Sequence, residues 1–169
     1  MIYVCSLFEM EHYVRQLQPG YLVSLIQPEL QPPTPCGLQP ARHLRVAVHD
    51  VSEESWGSIV PEDEHVRSLV TFLEERSRDE GILFHCYAGI SRSTAGALIA
   101  LAIDMEGREL EAAHLLRRAA PFAQPTSRLI ALADRILCRE GRLVAAHRAM
   151  GLRQPLLEGR LVEVAPTPP

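Results

Sequence analysis

The chain has 169 residues, enough for one globular domain with a buried core. Its formal net charge of −4 gives no basic surface field, so neither nucleic acid nor an anionic membrane is an expected partner. No apolar run is long enough to cross a bilayer and the N-terminus lacks the features of a signal peptide, so we expect a cytoplasmic protein.

The first part of the chain alternates between strand and helix patterns. A first strand (residues 2–7) and a short helix (9–17) precede a continuous apolar run (21–26) that is typical of a strand buried on both faces. A proline-rich stretch (28–42) is predicted to be a loop, and a third strand (43–48) follows it.

A long amphipathic helix then leads to a fourth strand. Pro61 suits its first turn, acidic residues follow, and apolar residues recur at helical spacing, which predicts a helix to about residue 78. The fourth strand is expected at residues 81–85. Beyond it, a run to Met105 that is apolar nearly all round predicts a helix buried at the centre of the fold.

The last part of the chain is predicted to be helical with a loosely packed tail. Helices are expected at residues 109–120, 126–140 and 143–150. The tail (151–169) has little apolar periodicity, so residues 1–150 are expected to form the folded domain. Strands that alternate with helices predict an α/β fold, with a mainly parallel sheet of four to five strands flanked by helices.

One cysteine lies at the junction of the fourth strand and the central helix. The sequence there is His85-Cys86-Tyr87-Ala88-Gly89-Ile90-Ser91-Arg92-Ser93-Thr94. Backbone N–H groups and the helix dipole attract an oxyanion at such a position, and together with Arg92 they favour the thiolate of Cys86. Gly89 permits a tight turn, and the planar guanidinium of Arg92 matches two phosphate oxygens. We therefore predict that Cys86 is a nucleophile beside a phosphate-binding loop formed by Tyr87, Ala88, Gly89, Ile90, Ser91 and Arg92.

The pattern H-C-x5-R-S at residues 85–93 resembles the active-site signature of cysteine-dependent protein tyrosine phosphatases, most of all the compact dual-specificity branch and its bacterial relatives. The resemblance covers about residues 1–150 and implies a phosphotyrosine-phosphatase-like catalytic domain. It implies that Ser93 hydrogen-bonds the sulfur and that His85 orients the loop. It also implies hydrolysis of phosphotyrosine, or of phosphoserine and phosphothreonine, on a phosphoprotein through a phosphocysteine intermediate, with no metal or other cofactor.

A general acid must reach the leaving oxygen from the side opposite the cysteine. Asp50 directly follows the third predicted strand and therefore lies at the same sheet edge as Cys86. In the resembled phosphatases the acid also follows a strand and precedes a helix that leads to the signature strand. Asp50 is therefore predicted to be the acid, although an Asx-turn or helix-capping role also fits. The substitute acids are Glu53, Glu54 and Asp63.

Two features of the sequence bear on catalytic efficiency and on the choice of substrate. Many of the resembled phosphatases carry a Pro-Asn pair whose asparagine braces the loop, whereas here Thr126 follows Pro125, so the brace is altered. Acidic residues between positions 53 and 64 are predicted to form a lip that repels phosphoinositides and RNA 5′ ends. A single phosphate on a protein side chain fits better.

Two other functions share this kind of loop. A phosphoprotein-binding module would keep the loop with little turnover, but the presence of both Cys86 and Asp50 argues against it. A rhodanese-like sulfurtransferase or an arsenate-reducing enzyme also places a cysteine on an anion-binding loop, but the complete signature argues against that class. The other cysteines show no zinc-site spacing, and Cys5 and Cys138 are expected in the core.

Overall fold

The computed structural model describes residues 1–51 and 57–167. Within these residues the strands are β1 (Ile2–Ser6), β2 (Tyr21–Ile26), β3 (His43–Ala47), β4 (Ile82–Cys86) and β5 (Val162–Val164). The helices are α1 (Leu7–Leu17), α2 (Asp63–Glu75), α3 (Arg92–Asp104), α4 (Glu109–Ala119), α5 (Ser127–Ile136) and α6 (Arg142–Ala149). The predicted proline-rich loop contains two single turns of 3₁₀ helix, Pro28–Leu30 and Pro40–Arg42.

The strands form one sheet in the order β3-β2-β4-β1-β5. The first four are parallel, and β5 runs antiparallel to β1. The prediction of a mainly parallel α/β sheet is therefore confirmed, with one antiparallel edge strand that makes it mixed. The carboxyl ends of β2, β3 and β4 lie side by side, and the signature loop leaves the sheet at this edge.

Two helical layers cover the sheet. On one face, Met10 and Val14 of α1 pack on Leu22 and Leu83. The other helices cover the opposite face around α3, which is buried over almost its whole length, as its apolar sequence predicts. No helix in the described part of the chain is long and apolar enough to span a membrane.

Helix α2 shows how the sequence pattern determines the packing. Val66, Leu69, Val70 and Leu73 recur at helical spacing and are the buried residues of this helix. Glu62 caps its N-terminus, and the Glu62 backbone N–H donates to Nδ1 of His65 at 3.1 Å. The helix therefore begins at Asp63, two residues after Pro61, and it ends at Glu75 rather than near residue 78.

The C-terminal tail departs from the expectation of weak packing. Val162 and Val164 are buried and lie opposite Val4 and Ile2 of β1. Three residues are too few to show a strand pattern in the sequence, and the pairing depends on the open edge of β1. Cys138 also departs from expectation, because it is exposed beyond the end of α5, whereas Cys5 is buried as predicted.

Candidate active site

The signature loop joins the end of β4 to the start of α3, and Gly89 determines its close turn. Gly89 has φ of +73°, a conformation that side chains other than glycine rarely adopt. A Cβ atom at this position would lie 2.8 Å from the backbone carbon of Cys5. Any larger residue would push the loop away from β1.

The carbonyl groups of the loop point outward. The bonds that they accept are Leu7 N–H to Tyr87 O at 3.1 Å, Gly159 N–H to Ala88 O at 2.7 Å and Gln124 N–H to Ile90 O at 2.9 Å. In a trans peptide the N–H points away from the C=O of the same unit. The N–H groups of Ala88, Gly89 and Ser91 therefore point inward, which is the arrangement an oxyanion requires.

Cys86 and Ser93 meet at the base of the loop. The Cys86 Sγ atom lies 3.1 Å from the Ser93 Oγ atom, and both residues are buried. The structure therefore brings the predicted hydroxyl into contact with the predicted nucleophile.

The Arg92 guanidinium is held from two neighbouring strand ends. Its Nη1 atom donates to the carbonyl of Val48 at 2.8 Å and to Oε1 of Gln27 at 3.1 Å. Gln27 was not among the site residues predicted from the sequence. It directly follows β2 at the same sheet edge as Asp50, so its position after a strand is the signal that could have identified it.

Asp50 lines the same cavity as Cys86. Its Oδ1 atom accepts hydrogen bonds from Ser91 Oγ at 2.7 Å and Thr126 Oγ1 at 3.1 Å, while its Oδ2 atom lies 4.0 Å from Nε of Arg92. The Ser91 Oγ and Thr126 Oγ1 atoms are themselves 2.7 Å apart. Thr126 therefore contacts both the loop and Asp50, so the altered brace still reaches the loop.

Beneath the loop, His85 belongs to a buried chain of polar side chains. Ser24 Oγ lies 2.5 Å from Nε2 of His85 and 2.7 Å from Nε2 of His43. Burial, followed by the neighbouring His43, lowers the pKa of His85 to about 4. Burial, followed by the charge of Arg45, lowers the pKa of His43 to about 4. Both rings are neutral near pH 7, which suits orientation of the loop rather than proton transfer.

The substitute acids do not share the position of Asp50. Asp63 pairs with Arg67 and Arg135 beside a different cavity. Glu53 and Glu54 lie outside the described residues. Glu62 and Glu64, which also belong to the predicted acidic lip, do not line the cavity above Cys86, so the part of the lip that the structure describes lies elsewhere.

A cavity of about 1220 Å³ opens above Cys86. Among the described residues Asp50 is the only carboxylate in its lining, which also includes Gln27, Arg92 and the segment that follows α6. The described residues contain no cluster of three or more metal-ligating His, Cys, Asp or Glu side chains.

Solved structures of phosphatases resemble the chain as a whole. PTP-2 phosphatase from Cydia pomonella is 22% identical with a TM-score of 0.59, over 78% of this chain and 83% of that one. Human DUSP28 is 18% identical with a TM-score of 0.59, over 89% of this chain and 90% of that one. A mouse putative dual specificity phosphatase is 21% identical with a TM-score of 0.58, over 86% of each chain.

No family model matches the sequence, and no curated protein is similar enough to count as a relative. The likeness to known proteins is therefore structural, and it extends over most of the chain and most of each neighbour. The chain has the fold of the dual-specificity and protein tyrosine phosphatases.

Proposed function

We propose that the protein is a phosphatase that hydrolyses phosphate monoesters on protein side chains through a phosphocysteine intermediate. The observation that carries the proposal is the arrangement around Cys86. Its sulfur contacts the Ser93 hydroxyl at 3.1 Å, beneath a loop whose inner face consists of backbone N–H groups. Arg92 and Asp50 complete the cavity with a cation and an acid.

In the first step the Cys86 thiolate attacks the phosphorus. A bond forms between sulfur and phosphorus, and the bond from phosphorus to the leaving oxygen breaks. Asp50 donates a proton to that oxygen, and its Oδ2 atom is available because Ser91 and Thr126 both contact Oδ1. The inward N–H groups and Arg92 stabilise the charge on the equatorial oxygens.

In the second step water releases the phosphate. Asp50, now a carboxylate, takes a proton from the water as its oxygen attacks the phosphorus. The bond between sulfur and phosphorus breaks, and the Ser93 hydroxyl donates a hydrogen bond to the departing thiolate. Cys86 and protonated Asp50 are thereby regenerated.

The activity is assigned to a catalytic domain of residues 1–150. The segment that follows residue 150 contributes strand β5 to the sheet and one wall to the cavity. The substrate is a phosphoprotein, and both phosphotyrosine and phosphothreonine or phosphoserine remain within the proposal. A cytoplasmic location belongs to it as well, because a reducing compartment protects a nucleophilic thiol from oxidation.

The test is hydrolysis of para-nitrophenyl phosphate in the presence of a metal chelator. We expect turnover that vanadate inhibits, because vanadate imitates the five-coordinate transition state. Cys86→Ser should lower kcat by at least about 10⁴-fold, as loss of a nucleophile does in other enzymes. Cys138→Ser is the matched control, since Cys138 is an exposed thiol that does not line the cavity, and it should retain wild-type turnover.

Two outcomes would overturn the proposal. Wild-type turnover in Cys86→Ser would exclude a phosphocysteine intermediate. Tight binding of a phosphopeptide by the wild-type protein without release of phosphate would favour the phosphoprotein-binding module.

A further inference from the structure

The cavity above Cys86 is larger than a phosphate group requires. Its volume of about 1220 Å³ exceeds the roughly 300–1,000 Å³ of typical small-molecule sites. The far wall comes from the end of α6 and the segment after it, and includes Arg148, Leu152, Arg153 and Leu157. This far wall, defined as residues 148–157, lies in the part of the chain from which the sequence predicted little.

Hydrogen bonds hold the far wall against the signature loop and the core. At one end, Nε of Arg117 donates to the Met150 carbonyl at 3.1 Å, and Gln154 N–H donates to Pro121 O at 2.9 Å. At the other end, Gly159 N–H donates to the loop carbonyl of Ala88. The wall is therefore positioned before a substrate arrives, which lowers the entropy that binding must overcome.

The far wall carries two arginines without acidic partners. In the described part of the chain no carboxylate lies within 4.0 Å of the guanidinium of Arg148 or Arg153. The Nη1 atom of Arg153 donates a hydrogen bond to the carbonyl oxygen of Leu156, at 3.4 Å. By contrast, Arg139, which precedes α6, and Arg142, the first residue of α6, both pair with Glu109.

Exposed apolar side chains lie beside these arginines. Leu152 and Leu157 are 99% and 97% exposed, and Tyr87 of the signature loop also lines the cavity and is exposed. Leucines so exposed on a fixed wall offer contacts to apolar side chains of a ligand. The cavity thus combines a phosphate site, two further cations and an apolar surface.

We propose that the far wall recognises a peptide that carries an acidic or phosphorylated residue near the scissile phosphate, with Arg148 and Arg153 binding that second anion. The proposal rests on the proposed function and specifies its substrate class. Arg92 binds the scissile phosphate, so Arg148 and Arg153 are the two cations that can bind one additional anion. An anionic membrane would require a broad basic surface, whereas the chain has a formal net charge of −4 and no lysine.

The test compares two phosphopeptides that differ at one position near the phosphorylated residue, Asp in one and Asn in the other. We expect wild-type kcat/KM to favour the Asp peptide by about tenfold, as two partly exposed ion pairs would provide. The preference should shrink as ionic strength rises. The Arg148→Ala, Arg153→Ala double variant should lose this preference, so that it hydrolyses the two peptides with equal kcat/KM.

Arg118→Ala is the control, because Arg118 is an exposed arginine of α4 that does not line the cavity. It should keep the preference. An equal preference in the double variant and the wild type, or no preference in the wild type, would overturn the proposal.

A binding measurement separates this proposal from the proposed function. Fluorescence polarisation with the same two peptides, each carrying a non-hydrolysable phosphonate, should show the same preference even if the protein releases no phosphate. Vesicles of phosphatidylcholine and phosphatidylserine provide the other comparison. Sedimentation with these vesicles that depends on Arg148 and Arg153, without any peptide preference, would assign the wall to a membrane and overturn the proposal.

Discussion

The two sides of the proposed catalytic cavity are built in different ways. On the loop side, Cys86, Arg92 and Ser93 are buried and come from one short stretch between β4 and α3. On the acid side, the Asp50 side chain is 42% exposed and is held by the hydroxyl groups of Ser91 and Thr126. The loop side is fixed by the core, whereas the acid side depends on a few side-chain contacts.

This difference indicates how the two sides divide the chemistry. A buried loop presents its N–H groups in one orientation and needs no rearrangement when charge develops on the phosphate. A partly exposed acid can exchange its proton with water between the two steps, as the proposed mechanism requires.

Among variants that keep the Cys86 nucleophile, the largest effect is expected on the acid side. Asp50→Ala should lower kcat by about 10²–10⁴-fold on alkyl phosphates such as phosphothreonine peptides, because their leaving oxygen needs a proton. The loss on para-nitrophenyl phosphate should be much smaller, since nitrophenolate leaves unprotonated. Asp63→Ala is the control, because Asp63 pairs with Arg135 outside the cavity. Equal losses on both substrates would remove Asp50 from the role of acid.

On the loop side, Arg92→Lys should lower kcat/KM by about 10²–10³-fold. Lysine keeps the charge but cannot bind Val48 O and Gln27 while also contacting two phosphate oxygens. In contrast to Asp50→Ala, the loss should be the same for good and poor leaving groups. Steady-state kinetics on the two substrates measures this, and wild-type kcat/KM in the variant would show that the guanidinium does not contact the phosphate.

The histidines beneath the loop predict a fall in stability in acid. Burial is the main cause that lowers the pKa of His85 to about 4, from 6.5 in the unfolded chain. Between these values the unfolded state binds a proton that the native state does not, so the free energy of unfolding decreases as pH falls. For His85 alone the decrease is at most about 3 kcal/mol.

Urea unfolding between pH 4 and pH 7 measures this decrease. His43→Gln removes one of the two titrating rings and should give a smaller slope of unfolding free energy against pH than the wild type. His12→Gln, which changes an exposed histidine of α1, should leave the slope unchanged. Equal slopes in His43→Gln and the wild type would show that the buried chain of His43, Ser24 and His85 does not control acid stability.

The same contrast explains how much of the site could be predicted from sequence. The loop side is local: Cys86, Gly89 and Arg92 lie within seven residues, so their spacing alone implied an anion site at a strand end. Asp50 was predicted from its place after a strand. The contact of Thr126 with Asp50 is tertiary, because it joins residues 76 positions apart, and no local pattern reports it.

The C-terminal segment is a second case in which tertiary contacts could not be predicted from local sequence patterns. Strands β1, β2 and β4 were evident because each is a largely apolar run followed by a helix or a loop, whereas β3 mixes polar and apolar residues. Strand β5 has three residues and forms only because β1 offers an open edge. The arginines and leucines of the far wall likewise show no sequence periodicity, and only their attachment to the loop makes them part of the cavity.

Thr126 is the residue that touches both sides, and its substitution should have the smallest effect. Thr126→Val removes, at nearly constant volume, the hydroxyl that contacts both Asp50 and Ser91, and it should lower kcat about three- to tenfold, whereas Thr126→Ser should stay near the wild type. Ser91 remains fixed by the loop backbone without Thr126, since Gln124 N–H binds Ile90 O and the Thr94 hydroxyl binds Ser91 O. We therefore expect the Thr126→Val loss to be greater on phosphothreonine peptides than on para-nitrophenyl phosphate. That result identifies Thr126 as a positioning residue for Asp50, and an equal loss on both substrates would instead assign it to the loop.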